Sequence, residues 1–178
     1  MSGSSWHSGG RREATADEFK AMAHPLRLRI LRLCLHEALT NKQIADRLHA
    51  DPATTLHHVR MLVSTEFLAV EAVRSGSRGA LEKPYRATGK SWVLSVDRPE
   101  DQAVSELAVV DALRGELADT APDDVLEAVR LGVKLSDAAL QELREKIAAL
   151  VGELSDREAD ADGDEYGFFV TLHRHSHD

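Results

Sequence analysis

The chain has 178 residues, of which 43% are hydrophobic and 29% are charged. That composition is typical of a folded globular protein and excludes a disordered chain. No apolar run approaches the roughly 20 residues that span a bilayer, and the N-terminus lacks the apolar core of a signal peptide. The single cysteine, Cys34, excludes an internal disulfide, so we expect a soluble protein of the reducing cytoplasm.

The net charge of −8 is unevenly distributed. Residues 24–98 carry 12 Lys and Arg against 7 Asp and Glu, whereas residues 99–178 carry 7 against 20. A basic region joined to an acidic one predicts that only the first meets a polyanion such as DNA. We therefore divide the chain into a flexible N-terminal arm at 1–13, a DNA-binding domain at 14–98 and an acidic helical extension at 99–178.

The first predicted elements of the domain are two helices. A short helix is expected within residues 14–22, and a longer one begins at Pro25, which suits a first helical turn. Apolar residues cover most sides of the longer helix, leaving one polar stripe with Arg27, Arg29 and Arg32. A helix of this kind is buried on most sides. We predict that it is the central helix of the domain.

Residues 39–65 contain the signals of a helix-turn-helix. Thr40 is a good N-cap, and Gln43 stands three residues later, where its side chain completes a capping box. Asp51 caps a second helix, with Pro52 at its first position. Many DNA-binding proteins use a short helix, a tight turn and a second helix to place the second helix in the DNA major groove.

The second of these helices has two different faces. Thr55, Val59 and Leu62 recur at helical spacing and are predicted to be buried. The other face is not acidic, and outward Leu56 could meet a thymine methyl or pack against the hairpin that follows. The predicted DNA contacts here are Pro52, Ala53, Thr54, Leu56, His57 and Arg60, together with Thr40 and Lys42 on the preceding helix.

A β-hairpin is predicted directly after this helix. Residues 66–73 and 81–88 have the β-branched and aromatic character of strands, and the turn between them carries two glycines and two arginines. Pro84 is expected at a sheet edge or a bulge. Such a hairpin is called a wing, and we assign phosphate contacts to its cations Arg74, Arg78 and Lys83. The alternative is a surface hairpin with ordinary solubilising charges.

The acidic extension is predicted to be helical. One helix covers about residues 100–118, a second piece opens at Pro122, and a third is capped by Ser136. The apolar stripe of the third helix suits packing along a partner helix, and the alternative is packing on its own domain. A strand apolar on both faces is expected at residues 166–172. Such a strand should be covered.

Three runs carry a family resemblance, namely A-H-P-L-R-L-R-I-L, L-T-N-K-Q-I-A-D-R-L and D-P-A-T-T-L-H-H-V-R-M-L, followed by a strand and a turn. In this order they resemble the winged-helix domain of ArsR-type bacterial transcription regulators, over about residues 16–96. The resemblance implies a homodimer that binds a palindromic operator, usually represses, and releases DNA when an inducer binds. It also implies that His58 packs partly against its own domain, and that the acidic extension at 99–178 serves dimerisation or effector binding.

Metal chemistry is not assigned to this chain. Metal-sensing ArsR-type regulators carry cysteines in the helix before the recognition helix, and residues 38–44 contain none. We therefore interpret Cys34 as a buried structural thiol and not as a metal ligand. His173, His175 and His177 alternate at the C-terminus, either as Zn²⁺ or Ni²⁺ ligands or as part of a frayed end. No catalytic motif is recognisable, so we expect neither an enzyme nor a cofactor.

The sequence thus predicts a mainly α fold with a small β-hairpin wing. The winged helix-turn-helix domain is followed by a C-terminal helical extension that ends in a short strand. The predicted function is a sequence-specific regulator that binds double-stranded DNA as a homodimer and responds to a small-molecule effector, not to a cysteine-bound metal. The alternative is a winged-helix scaffold that binds protein through its acidic helices and has little affinity for DNA.

Overall fold

The computed structural model describes residues 12–75, 81–157, 160 and 162–174. The helices are α1 Ala16–Met22, α2 Pro25–Leu33, α3 Asn41–Arg47, α4 Pro52–Ser64, α5 Pro99–Asp119 and α6 Asp137–Asp156. The strands are β1 Arg12–Glu13, β2 Leu39–Thr40, β3 Leu68–Val70, β4 Arg74–Ser75, β5 Leu81–Glu82, β6 Pro84–Ala87 and β7 Leu94–Ser95. Short 3₁₀ helices cover Lys90–Val93 and Pro122–Asp124. The fold is mainly helical with a small sheet, a winged helix-turn-helix followed by a C-terminal helix, as predicted.

The chain divides into two compact units. Among the described residues, the first unit ends at residue 128 and the second begins at residue 129. The sequence placed a boundary between residues 98 and 99, which assigns α5 to the extension. In the structure α5 belongs to the same unit as the helix-turn-helix, because it packs on α1 and α2.

The core of the first unit is assembled around α2, which contacts α1, α4, α5 and β6. This confirms the prediction that α2 is the central helix. The largest fully buried side chains are Ile30, Leu39, Ile44, Val59, Leu62, Phe67 and Leu68. Each stabilises the fold by roughly 1.5–3 kcal/mol relative to an exposed position. The core therefore holds α3 and α4 together.

The sheet is larger than the predicted hairpin. β2, β6 and β3 form a three-stranded antiparallel sheet, while β4 and β5 continue the hairpin beyond it. Pro84 was expected at an edge or a bulge, but it is the first residue of the central strand β6, opposite Thr40. The expectation was wrong because β2 is too short to show a strand pattern. A proline is tolerated at the first position of a strand, where its missing N–H matters least.

The predicted N-terminal arm is structured at its end. Arg12–Glu13 forms β1, which pairs in parallel with β7. The Arg12 guanidinium donates to both carboxylate oxygens of buried Glu18, at 2.7 and 2.5 Å, and Lys90 Nζ lies 2.8 Å from the same group. These two cations hold the pKa of Glu18 well below its usual range, against the opposing effect of burial. The expectation of a loose arm was wrong for residues 12 and 13, because the composition of the N-terminus gives no sign that they pair with β7, which lies far along the chain.

Two elements predicted in the second half do not form among the described residues. The helix expected from Pro122 is limited to the 3₁₀ turn, and residues 125–135 are neither helix nor strand. From Val129 to Leu135 the apolar residues recur at every second position, which is the period of a strand and not of a helix. The strand expected at residues 166–172 is likewise absent, because a strand requires a hydrogen-bonding neighbour. α6 itself begins as predicted, with Ser136 accepting from the Ala139 N–H at 3.3 Å.

Candidate nucleic-acid interface

The start of α3 is fixed by the predicted capping box. Thr40 Oγ1 accepts from the Gln43 N–H at 3.3 Å, and Gln43 Oε1 accepts from the Thr40 N–H at 2.9 Å. Thr40 is 9% exposed. Its hydroxyl therefore caps the helix from a buried position and does not lie on the outer face, where the sequence placed it as a DNA contact.

The turn between α3 and α4 is held by polar contacts. His49 adopts φ +49°, a left-handed conformation that is uncommon for a residue with a side chain. The Asp51 carboxylate accepts from the Thr54 N–H at 2.8 Å and from the Thr54 hydroxyl at 3.0 Å. Asn41 Nδ2 donates to the Pro52 carbonyl at 2.9 Å. The Asp51 contacts cap α4, and the Asn41 hydrogen bond ties the first turn of α3 to the first turn of α4.

The two faces of α4 are separated as predicted. Thr55, Val59 and Leu62 are fully buried, and Leu56 is half-buried. The exposed side chains on α4 that were assigned to DNA are Pro52, Ala53, Thr54, His57 and Arg60. Lys42 on α3 is also exposed. We call these exposed side chains together the α4 face, which consists of Lys42, Pro52, Ala53, Thr54, His57 and Arg60.

A polar cluster that is largely buried lies beside the α4 face. We call it the histidine–arginine junction, and it consists of His24, Arg27 and His58. Arg27 Nη1 lies 3.3 Å from His58 Nδ1, and the rings of His24 and His58 are 4.5 Å apart between centroids. Arg27 is 7% exposed and His58 is 8% exposed. The sequence placed Arg27 on a polar stripe and His58 in a partly packed position, so it underestimated the burial of both.

The junction determines the protonation of its histidines. Arginine offers only donors, so His58 Nδ1 must accept the hydrogen bond and the ring must be neutral. His24 Nδ1 accepts from the Leu26 N–H at 3.2 Å, which caps α2. Burial lowers the pKa of His58 to about 4, helped by the nearby His24, Arg27 and His57. Burial also lowers the pKa of His24.

The cations of the first unit fall into two groups. Most of those whose side chains are described lie within 4 Å of a carboxylate, as in Arg47–Glu37 and Arg32–Glu116. Arg27 is instead held by carbonyls and His58. Among the described side chains of the first unit, the other cations without a carboxylate partner are Lys42, Arg60 and Lys83, and all three are exposed. Each of them is a predicted DNA contact, a distinction that the sequence alone did not make.

The wing is only partly described. Its stem is the β4–β5 ladder, in which Arg74 pairs with Glu82 in the register of the strands. Lys83 is exposed between β5 and β6. Arg78 lies outside the described residues, as does the side chain of Arg74. The stem therefore confirms a hairpin after α4, while the phosphate contacts assigned to Arg74 and Arg78 stay predictions.

Cys34 is fully buried, as predicted, and burial raises the pKa of its thiol to about 12. Among the described residues, no three His, Cys, Asp or Glu side chains are grouped closely enough to hold a metal ion. His175 and His177 lie outside those residues.

No described helix combines the length and apolar character needed to cross a membrane.

Comparison with known proteins gives one family match. Residues 22–71 match a helix-turn-helix domain, a segment that runs from the end of α1 to just beyond β3. It contains the histidine–arginine junction, the α4 face and the first strand of the wing hairpin, and it ends before β4 and β5. The match does not reach the ArsR subtype, which stays a prediction. A search of curated proteins finds no match.

Two solved structures show distant similarity. The transcriptional regulator SlyA is 15% identical in sequence to this chain. The match covers 72% of this chain and 73% of the SlyA chain, with a TM-score of 0.30. A mutant of MepR from a multidrug resistant S. aureus clinical isolate is 14% identical, with 76% and 78% covered and a TM-score of 0.29. Scores this low do not establish a common fold. The assignment of a winged helix-turn-helix therefore rests on the elements described above.

Proposed function

We propose that this protein is a sequence-specific transcriptional regulator that binds double-stranded DNA. The α4 face enters the major groove, where His57 and its neighbours contact base edges, and Lys42 and Arg60 contact phosphates. Lys83 and the arginines of the wing contact the adjacent backbone. The observation that carries this proposal is the position of the unpaired cations Lys42, Arg60 and Lys83, all of which belong to the helix pair or the wing.

We further propose that the regulator is a cytoplasmic, ArsR-type homodimer that represses from a palindromic operator, with half-sites about one helical turn apart. The α5 helix supports the dimer. Ala108 and Ala112 on one side of α5 are buried, and this side packs on α2. The opposite side exposes Leu107, Val110 and Leu117, with Leu107 66% exposed. Exposed apolar side chains repeated at helical spacing are typical of a protein interface.

A small-molecule effector, not bound by cysteine, completes the proposal. Cys34 is buried with a raised pKa, which disfavours the thiolate that binds soft metals. The effector class is supported only by the resemblance to inducible regulators. Its identity is left to screening by thermal shift, in which a ligand of the folded state raises the melting temperature.

The test of DNA binding is a gel shift of the purified protein on its own promoter region, at two salt concentrations and with random competitor DNA. Specific retardation that survives competitor and weakens with salt is expected. Arg60→Ala and Lys83→Ala should each weaken binding, whereas Arg47→Ala, which removes a cation already paired with Glu37, serves as the matched control. A wild-type protein that binds no DNA specifically, with or without cell extract as a source of effector, favours the protein-interaction scaffold.

The test of the dimer is sedimentation of Leu107→Glu. A charge in the centre of the α5 surface should convert the dimer to a monomer. Leu81→Glu is the matched control, because Leu81 is 80% exposed on the wing and is not part of that surface. If Leu107→Glu sediments like the wild type, α5 does not form the dimer interface.

A further inference from the structure

The contacts of Arg27 link three helices of the first unit. Its Nε donates to the Ala21 carbonyl at 2.7 Å, and its Nη2 donates to the Lys20 carbonyl. Its Nη1 donates to His58 Nδ1 at 3.3 Å. Lys20 and Ala21 lie in the last turn of α1, Arg27 itself is on α2, and His58 is on α4. A single guanidinium therefore joins the end of α1 to the middle of α4.

This arrangement suits arginine for two physical reasons. The last carbonyls of a helix have no partner within the helix, and they carry the negative end of its dipole. A guanidinium presents several donors in one rigid plane, so it can satisfy two such carbonyls and an imidazole together. Lysine presents a single nitrogen on a flexible chain and cannot span the same three acceptors with one geometry.

The junction is directly adjacent to the α4 face. His58 of the junction follows the exposed His57 in the chain, and the rings of His57 and His58 meet edge to face with their centroids 5.5 Å apart. His58 is also packed against His24, whose ring caps α2. The middle of α4 is thus held by polar contacts of defined direction, in addition to the apolar contacts of Val59 and Leu62, which have no preferred direction.

We propose that Arg27 and His58 are positioning residues for DNA recognition, which fix the rotation of α4 so that His57 faces the base edges of the groove. This inference rests on the proposed DNA-binding function. Neither residue touches DNA, since both are buried. Their loss should reduce the discrimination between operator and random DNA while leaving the number of phosphate contacts unchanged.

The experiment compares Arg27→Met with Arg32→Met. Both substitutions remove one positive charge from α2, but Arg32 pairs with Glu116 on α5 at 3.6 Å and has no hydrogen bond or ion pair to the described residues of α4. For Arg27→Met we expect the affinity for operator to fall about tenfold relative to random DNA. The slope of affinity against salt should stay the same, because it counts phosphate contacts. Arg32→Met should keep the wild-type discrimination, and equal discrimination by the two variants overturns the inference.

A second variant and a second measurement keep the test independent of folding defects and of DNA. His58→Phe retains an aromatic ring beside His24 and removes only the acceptor of Arg27, so it should reproduce the loss of discrimination if Arg27→Met does not fold. Amide hydrogen exchange of the full chain reports on α4 without DNA, and both variants should exchange faster than Arg32→Met within α4. A wild-type protein without specific DNA binding would contradict the proposed function only. Unchanged exchange in α4 would contradict the role of Arg27 and His58 itself.

Discussion

Apolar residues recur at regular intervals in both the helix-turn-helix and the segment at residues 125–135, but only the helix-turn-helix forms helices from them. Both contain apolar residues at regular intervals, yet Ile44, Val59 and Leu62 are fully buried, whereas Leu131 is 78% exposed. The first set recurs at the helical period, and its helices begin at strong caps. The second set recurs at every second residue, and Gly132 lies within the segment. Apolar spacing predicts a helix reliably only where caps and a buried face agree with it.

The largest effect is expected from truncating the core of the helix pair. Leu62→Ala should lower the free energy of unfolding by about 3 kcal/mol, because it leaves a cavity in a fully packed site. Leu131→Ala should change it by less than about 0.5 kcal/mol, since the side chain is already exposed. Urea denaturation followed by circular dichroism measures both. Similar losses for the two variants would show that residues 125–135 are buried in solution, for example by a partner.

The histidine–arginine junction should make the first unit sensitive to acid. The pKa of His58 is about 4 in the fold, below the ordinary value of about 6.5. The neutral ring therefore stabilises the fold above pH 6.5, and this contribution is lost as the pH falls toward 4. Between pH 8 and pH 5 the loss should be about 2 kcal/mol.

The control for this pH dependence is His58→Phe, which cannot titrate at that position. The decrease in stability between pH 8 and pH 5 should be smaller in the variant, although its stability at pH 8 is also reduced. The remaining decrease reports on the other titrating groups, which include His24 beside His58. An identical decrease in both proteins would show that His58 is not held neutral.

A smaller effect is expected from the helix caps. Thr40→Ala should cost about 1 kcal/mol, because it removes the side-chain partner of the Gln43 N–H from a buried capping box. Ser136→Ala should fray the start of α6, and the unfolding of the helix-turn-helix should not change. Hydrogen exchange of α3 and α6 separates the two results. Loss of protection in α3 caused by Ser136→Ala would mean that the two regions are coupled.

The smallest effect on stability is expected at the wing. Arg78→Ala should leave the free energy of unfolding within about 0.5 kcal/mol of the wild type. It should nevertheless weaken binding to all DNA sequences alike and reduce the salt slope by about 1. Substitutions at Ala53 or His57 should instead change the sequence preference. An unchanged salt slope for Arg78→Ala would remove Arg78 from the phosphate contacts.

Much of the recognition unit could be predicted from the sequence alone. The caps Thr40 and Asp51, the first position of Pro52 and the buried set Thr55, Val59 and Leu62 are local signals. They depend on residues within two turns of each other, so a linear pattern contains them. The same holds for the Ser136 cap of α6. The DNA contacts on the α4 face follow from this periodicity and stay predictions until binding is measured.

Tertiary structure decided which polar groups serve the fold and which remain on the surface. Thr40, predicted as a DNA contact, is a buried cap, and Arg27, predicted on a polar stripe, is the buried link between α1 and α4. Lys90 and Arg12 are held by Glu18, whereas Lys42, Arg60 and Lys83 have no carboxylate partner among the described residues. These differences depend on contacts between residues far apart in the chain. The sequence determines periodicity and caps because they are local, but the pairing of a charge depends on what the folded chain brings within a few ångströms of it.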